Sequence, residues 1–287
     1  MVFYREEARK YLDRLIGVKG LNKKVVWCAS GFLVGRFEGK DSKEIEQFSV
    51  YLITNKHVIN GLTVIEVQYN YQNTTKNLSI NLFAPNGIKL FSEHPNPNVD
   101  VVAIRINVID FKANGINLWF FSLKDNSLNL QQMRNTGVAD GTLTYALGFP
   151  VGITQSLIST ILKEPVVRLG CIAKIEHLYH PSNKEVAYLI DSNMFPGNSG
   201  GPVINRIESM SLQGTPSNST TYLIGIVGAY LPYQEHLYSR QTNRDRMTME
   251  ENSGLAVVYP VDFIVDSVEL ERTRSSGLNP DQYPVFL

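Results

Sequence analysis

Pro196-Gly197-Asn198-Ser199-Gly200-Gly201-Pro202-Val203 decides what this chain can be. Three glycines around one serine, closed by a proline before an apolar run, specify a tight turn and not a strand, because glycine alone enters positive φ at no steric cost. Such a turn exposes the Ser199 hydroxyl. It also lets the backbone N–H groups of Gly197 and Ser199 aim at one point, which is what stabilising a tetrahedral oxyanion requires. The same eight residues equally suit a glycine-rich β-turn with a bystander serine. Their surroundings have to separate the two readings.

Outward from the turn, the second half of the chain carries short β-rich runs at Leu143–Phe149, Val166–Ile175, Val186–Ile190, Pro202–Ile204, Tyr222–Tyr230 and Leu255–Val258. The first half repeats the style at Val25–Val34, Phe48–Thr54, Thr63–Tyr69, Leu78–Phe83 and Val99–Ile106. Gly, Asn, Pro and Ser separate the runs, a pattern that predicts an all-β (mainly β) fold of sandwiches or barrels over alternating α/β. Two helices frame it. Apolar residues at three- and four-residue spacing from Phe3 to Ile16, stopped by Gly17, predict an N-terminal amphipathic helix, and Val261–Leu270 predicts a closing helix.

Asp110–Asn135 is polar and poorly periodic apart from Leu118–Leu123, and serves as the connector, with the boundary near Ser127. The expected division is an N-terminal helix in 1–20, a first β-rich unit in 21–126, a second with the closing helix in 127–272, and a tail in 273–287. Segments 206–220 and 232–253 are rich in Ser, Thr, Asn, Gln and charge, and read as long surface loops.

A serine hydroxyl is a weak nucleophile near neutral pH and needs a base within hydrogen-bond reach, usually histidine. Of the five histidines, His57 alone stands in a setting that faces a cleft: Thr54-Asn55-Lys56-His57-Val58-Ile59, directly after the run Val50–Ile53. His94, His177, His180 and His236 sit in loops or at strand ends, where solvated or locally bonded roles suffice. The base needs an acceptor to fix its tautomer. Asp100 anchors a carboxylate at the lip of Val101-Val102-Ala103-Ile104-Arg105-Ile106; alone, it also suits a turn aspartate at a strand entry.

Together the three segments resemble the trypsin-like peptidases of the chymotrypsin fold, in the order His, Asp, Ser. Thr54-Asn55-Lys56-His57-Val58 is similar to that family's Thr-Ala-x-His-x, Asp100-Val101-Val102-Ala103 to its Asp-Ile-Ala-Leu, and Gly197–Pro202 to its Gly-Asp-Ser-Gly-Gly-Pro. The bacterial HtrA/Deg-like branch is the nearest in style, with Gly-Asn-Ser-Gly-Gly-Pro as its usual form. Ser30-Gly31-Phe32-Leu33-Val34, Ala146-Leu147-Gly148-Phe149-Pro150-Val151-Gly152 and Ser253–Pro260 resemble further segments of that branch, so the likeness spans about Val25 to Leu270.

The resemblance implies two six-stranded antiparallel β-barrels, the first carrying His57 and Asp100, the second carrying Ser199. It implies a serine endopeptidase in which His57 is the base, Asp100 its orienter and Ser199 the nucleophile, with Gly197 and Ser199 as the oxyanion hole. It further suggests substrate contacts at Asn193, near the base of the pocket for the residue before the scissile bond, and at Gly228, Ala229 and Tyr230, whose backbone pairs with an extended substrate. Neither wall offers a buried aspartate, so a neutral side chain is expected there. Asn198 replaces the aspartate that pairs with a new N-terminus in trypsinogen-type activation, and the chain leaves no room after the closing helix for the PDZ module of HtrA proteins. A trypsin-fold protein that binds a peptide or partner without cleaving it remains the other reading. An α/β-hydrolase does not, since that fold needs a G-x-S-x-G elbow leading into a helix.

Composition sets limits. Lys plus Arg (27) equals Asp plus Glu (27), so the cationic excess that nucleic acid demands is absent. The charged opening Met1–Lys10 has no apolar leader core, no run approaches a membrane span, and Cys28 and Cys171 are too few for a disulfide framework. The expectation is a cytoplasmic protein without metal or cofactor. Its partners are a protein or peptide substrate and a regulatory protein, with no nucleic acid or membrane, and both cysteines act as small buried apolar side chains. An unexported protease also has to spare its own cell, which implies narrow specificity or activation through the N-terminal helix or the two long loops.

Overall fold

The computed structural model describes residues 2–4, 27–71, 74–108, 119–150, 165–175, 187–207, 219–242 and 244–278. The first half contributes β1 (Val2–Tyr4), β2 (Trp27–Ser30), β3 (Phe32–Lys40), β4 (Glu46–Thr54), α1 (Lys56–Ile59), β5 (Val64–Tyr71), β6 (Thr74–Asn81), β7 (Ser92–Glu93), β8 (Val102–Ile106) and β9 (Phe121–Ser122). The second contributes α2 (Leu130–Asn135), β10 (Leu143–Gly148), β11 (Val166–Lys174), β12 (Tyr188–Asp191), β13 (Pro202–Asn205), β14 (Leu223–Tyr238), β15 (Asp245–Pro260) and α3 (Val261–Ser275). The fold is mainly β, as the spacing of the short runs predicts.

Strands β10-β11-β12-β15-β14-β13 close into a six-stranded barrel. The first-half strands divide between a four-stranded sheet, β2-β1-β5-β6, and a five-stranded sheet, β7-β8-β4-β3-β9. Between those two sheets lies one core, into which β4 and β8 send Val50, Leu52, Val102 and Ile104 to meet Leu33, Ile65 and Ile80. The alternate residues Tyr51, Ile53 and Ala103 point the other way, as a two-residue period requires. There they join Phe32 and Val34 in a second core with Leu223 and Ile226 of the barrel and Val261, Ile264 and Val268 of α3. Burial on both faces explains why β4 reads as the unbroken apolar run Val50–Ile53. A third core, around Met133, Ile172, Tyr188, Ile190 and Val258, fills the barrel.

Helix α3 therefore belongs to the second half by sequence and to the first by packing. Its buried Glu271 accepts from Ser92 Oγ at 2.7 Å and from Arg274 Nε at 2.8 Å, so the carboxylate is neutralised and bonded where it sits.

Several expectations need correction. Val2–Tyr4 is strand β1, wedged between β2 and β5, and not the opening of a helix; ladder pairing on both sides of β-favouring Val, Phe and Tyr overrides the helical period. The rest of the expected helix, 5–20, lies outside the described residues, as do 208–218 of the first expected loop. Within the connector, Leu130–Asn135 is a helix. Asn129 Oδ1 accepts from Gln132 N–H and Gln132 Oε1 accepts from Asn129 N–H, a capping box legible as Asn-x-x-Gln.

Segment 232–253 is no loop either: β14 and β15 run on past the barrel as an antiparallel arm, paired as far as Tyr238↔Asp245. Its apolar content is low because both faces meet solvent. Gly254, at φ +82°, forms the bulge at which the arm leaves the barrel. The closing helix continues to Ser275, past the expected Leu270. Cys171 is a free thiol and only half-buried.

Candidate active site

His57 stands on the single turn α1, and three contacts fix that turn to the loop before β8. Asn55 Nδ2 donates to the Asp100 carbonyl at 2.7 Å, and Lys56 Nζ donates to the carbonyls of His94 (2.9 Å) and Asn96 (3.2 Å). Burial among these groups pulls the Lys56 ammonium below the usual lysine range. Asp100 then grips His57 twice: Oδ2 lies 2.5 Å from Nδ1, and Oδ1 accepts the backbone N–H at 3.1 Å. A carboxylate on Nδ1 favours the tautomer that carries its proton on that nitrogen. The carboxylate is largely shielded while the imidazole is half-exposed, 24% against 54% of side-chain surface.

Ser199 follows a turn whose sequence dictates its type. Asn198 N–H donates to the Phe195 carbonyl at 3.0 Å, and Pro196 and Gly197 occupy the two central positions. Gly197 has φ +99°, the value a type II turn demands at its third residue and the reason glycine stands there. Ser30 holds this turn to the first half: its Oγ donates to Gly197 O (2.7 Å) and accepts from Phe149 N–H (2.9 Å), and its N–H donates to Ser199 O (2.8 Å). Gly200, at φ +83°, leaves no room for a side chain, since a Cβ there would lie 2.2 Å from Ser30 O.

Asn198 is 3% exposed. With its carboxamide turned so that oxygen faces the donors, Oδ1 accepts from Phe195 N–H at 3.1 Å and from Arg168 Nε at 3.2 Å. The Arg168 guanidinium lies over the Phe195 ring, 4.9 Å from its centroid, and burial pulls its pKa down. Thus a neutral amide and a cation brace the turn from within.

His57 and Ser199 line one cavity of about 200 Å³ together with Met194, Phe195, Pro196, Asn198, Val227, Gly228, Ala229 and Tyr230. Gly228, Ala229 and Tyr230 are thus brought to the site. Asn193 is not: it is exposed, and its buried neighbour Met194 lines the cavity in its place. Alternation along the extended segment 191–194 turns Asp191 and Asn193 out and Ser192 and Met194 in. Asn252 Nδ2 donates to Met194 O at 2.5 Å and pins that segment to β15. On the far side of His57 a depression of about 710 Å³ opens between Asn60–Thr63 and Phe83, Phe91 and Pro97.

Tyr259 was not legible as a site residue. Its ring packs where a Gly228 side chain would otherwise stand, and burial, with the Asp100 charge adding to it, pushes its hydroxyl up to about 12. Arg168 left a signal, as the one charge between Val166 and Ile172 in an apolar strand. Elsewhere, His94 is buried against Phe263 and bonded to Asp266 and Asn96. His236 lies in the arm beside Thr248, and His177 and His180 fall outside the described residues. No helix among the described residues is long and apolar enough to cross a membrane.

Comparison with known proteins supplies the context. The chain is similar in structure to the MamO protease domain of Magnetospirillum magneticum, at 17% identity and a TM-score of 0.43 over 83% of this chain and 86% of that one. It is also similar to Rv3671c from M. tuberculosis H37Rv in an inactive form (12%, TM-score 0.39, 82% and 85%) and to the Tobacco Etch Virus protease (12%, TM-score 0.34, 90% and 82%). No curated protein sequence matches the chain. The sequence profile of the trypsin-like peptidase domain, in contrast, matches residues 29–210, a span that includes His57, Asp100 and Ser199. The chain belongs to the trypsin-like peptidase domain family.

Proposed function

We propose that this protein is a serine endopeptidase with His57, Asp100 and Ser199 as its triad. The observation that carries the reading is the double grip of Asp100 on His57, ring and backbone together, on a base that shares one cavity with Ser199. His57 Nε2 takes the Ser199 proton as Oγ attacks the peptide carbonyl. The backbone N–H groups of Gly197 and Ser199 receive the oxyanion. His57 returns the proton to the leaving amine, and water, activated by the same imidazole, releases the acyl group.

Among the residues lining the cavity there is no carboxylate, and Met194 and Val227 supply apolar wall, so the residue before the scissile bond is neutral and of modest size. Labelling with a fluorophosphonate probe tests the nucleophile: wild type should label at Ser199, and Ser199→Ala and His57→Ala should not. Turnover of a peptide library should fall in those variants on the order of a millionfold. Undiminished cleavage by Ser199→Ala, or a wild type that neither labels nor cleaves, would overturn the reading. Cleavage confined to bonds after arginine or lysine would overturn the pocket assignment alone.

A further inference from the structure

We infer that the arm formed by β14 and β15 binds the substrate upstream of the cleavage site, as an added strand along the open edge of β14. The inference rests on the proteolytic reading above. In the barrel β14 is paired on both edges, with β15 on one and β13 on the other. The β13 side ends at Pro202↔Ile226, with Gly200 N–H to Val227 O as its last bond. From Gly228 to Tyr238 only β15 pairs with the strand, and no other strand among the described residues pairs with its other edge. That edge starts in the cavity of Ser199, which Gly228, Ala229 and Tyr230 line, and continues outward through Leu231–Tyr238.

At about 3.3 Å per residue, Leu231–Tyr238 offers roughly 26 Å of strand, enough for about eight further substrate residues. Pro232 leaves one rung without a donor. An unpaired edge of this length is a template for another chain, blunted here at Pro232 and at the register shifts beside Pro232 and Tyr238. The side chains indicate what fits. Tyr233, Glu235 and Leu237 share one face by alternation, with Met249 and Met247 opposite Glu235 and Leu237 on β15. Tyr233, Leu237, Met247 and Met249 are 54, 48, 59 and 44% exposed, so the stripe is bare. The occupant is an extended peptide with apolar side chains at alternate positions and a lysine or arginine facing Glu235.

The experiment uses peptides of one fixed scissile bond, lengthened upstream from about four to about twelve residues in that pattern. Wild type should show kcat/KM rising about tenfold or more with length. A variant with residues 234–250 replaced by Asn-Gly, a turn that closes the hairpin at Tyr233↔Glu251, should cleave the short peptide as wild type does and lose the gain. Leu237→Lys should lose part of it. Methylating alternate upstream backbone amides of the long peptide should abolish the gain in one phase and spare it in the other.

Cleavage of long and short peptides with equal kcat/KM overturns the inference while leaving the peptidase intact. So does a rise in mass with concentration that is lost in the shortened arm, since a second copy would then hold the edge. If wild type cleaves nothing, the peptidase reading falls, and fluorescence anisotropy of the long peptide decides the arm separately. Equal binding by wild type and shortened arm overturns it.

Discussion

Asn198 is where a single residue decides how the nucleophile turn is held. Its amide cannot form the ion pair an aspartate would, and the structure gives it Phe195 N–H and Arg168 Nε instead. Arg168→Ala is expected to lower kcat about tenfold to a hundredfold with KM little changed, because a loosened turn misaims the proposed oxyanion donor of Gly197, which only the transition state needs. Arg168→Lys should fall similarly, since it keeps the charge but loses the Nε donor. Steady-state kinetics separates the two parameters, and a fall confined to KM would place Arg168 on substrate and not on the turn. Ser30→Ala leaves Gly197 O and Phe149 N–H buried without their partner, and should cost about 1–3 kcal/mol in urea unfolding. Tyr51 is the reverse case. Its hydroxyl is buried without a hydrogen-bond partner, and burial pushes its pKa up to about 12. The folded chain thus keeps a proton that the unfolded chain releases near pH 10, so this contribution to stability is complete below about pH 10 and is lost as pH rises toward about 12. Tyr51→Phe should raise stability by about 1 kcal/mol at about pH 8. It should also reduce the loss between about pH 10 and about pH 12, leaving the shares of Tyr259, shifted to about 12 as well, and of Tyr188 and Tyr230, which are also raised. Unfolding midpoints at the two pH values check both claims.

Elements differ in how far the sequence discloses them, and the reason is where their stabilising contacts lie. His57, Asp100 and Ser199 sit in segments whose conformation is set within a few residues, by Pro196-Gly197 in the turn and by the strand ends at Thr54 and Asp100, so they could be read directly. The capping box of α2 is equally local, but it stands in a polar stretch without helical periodicity. The arm could not be read from apolar alternation, because neither face is buried and its strands are held by the ladder to each other. The short strand β1 depends on partners far along the chain, and its helical period misled. Helix α3 was legible as a helix, but its seat on β8 was not. That seat explains an otherwise costly feature, a carboxyl at 0% exposure: Arg274 and Ser92 both donate to Glu271 there. Arg274→Met leaves the charge with one partner and should destabilise by about 3–5 kcal/mol, measured by urea unfolding. The double variant Arg274→Met, Glu271→Leu should recover much of that loss, because it removes the stranded charge as well. A single variant with unchanged stability would overturn the reading that Arg274 offsets the burial of Glu271.

At the scale of the whole molecule, the second core makes the two halves one folding unit. Phe32, Val34, Tyr51, Ile53 and Ala103 from the first half enclose it together with Leu223, Ile226, Val261, Ile264 and Val268 from the second. Backbone bonds cross the same junction, from Ser30 N–H to Ser199 O and from Leu223 N–H to Asn126 O. Neither half can bury its share alone, for the face of β4 that carries Tyr51 and Ile53 would be bare without α3 and the barrel. The proposed triad is laid across this junction, with His57 and Asp100 on one side and Ser199 on the other, so the geometry of the site depends on the shared core. Ile264→Ala, at the centre of the core and 0% exposed, should cost about 2–5 kcal/mol. That loss should be felt equally in elements far from α3. Hydrogen exchange along a denaturant series is the measurement: amides of β4 in the first half and of β12 in the barrel should lose protection at one common midpoint, in wild type and, shifted down, in the variant. Two midpoints, with β12 surviving after β4 has opened, would mean that the barrel stands alone and that the core only joins finished halves. In that event Ile264→Ala would impair catalysis by misplacing His57 against Ser199 while leaving the barrel stable, and loss of fluorophosphonate labelling would precede loss of β12 protection.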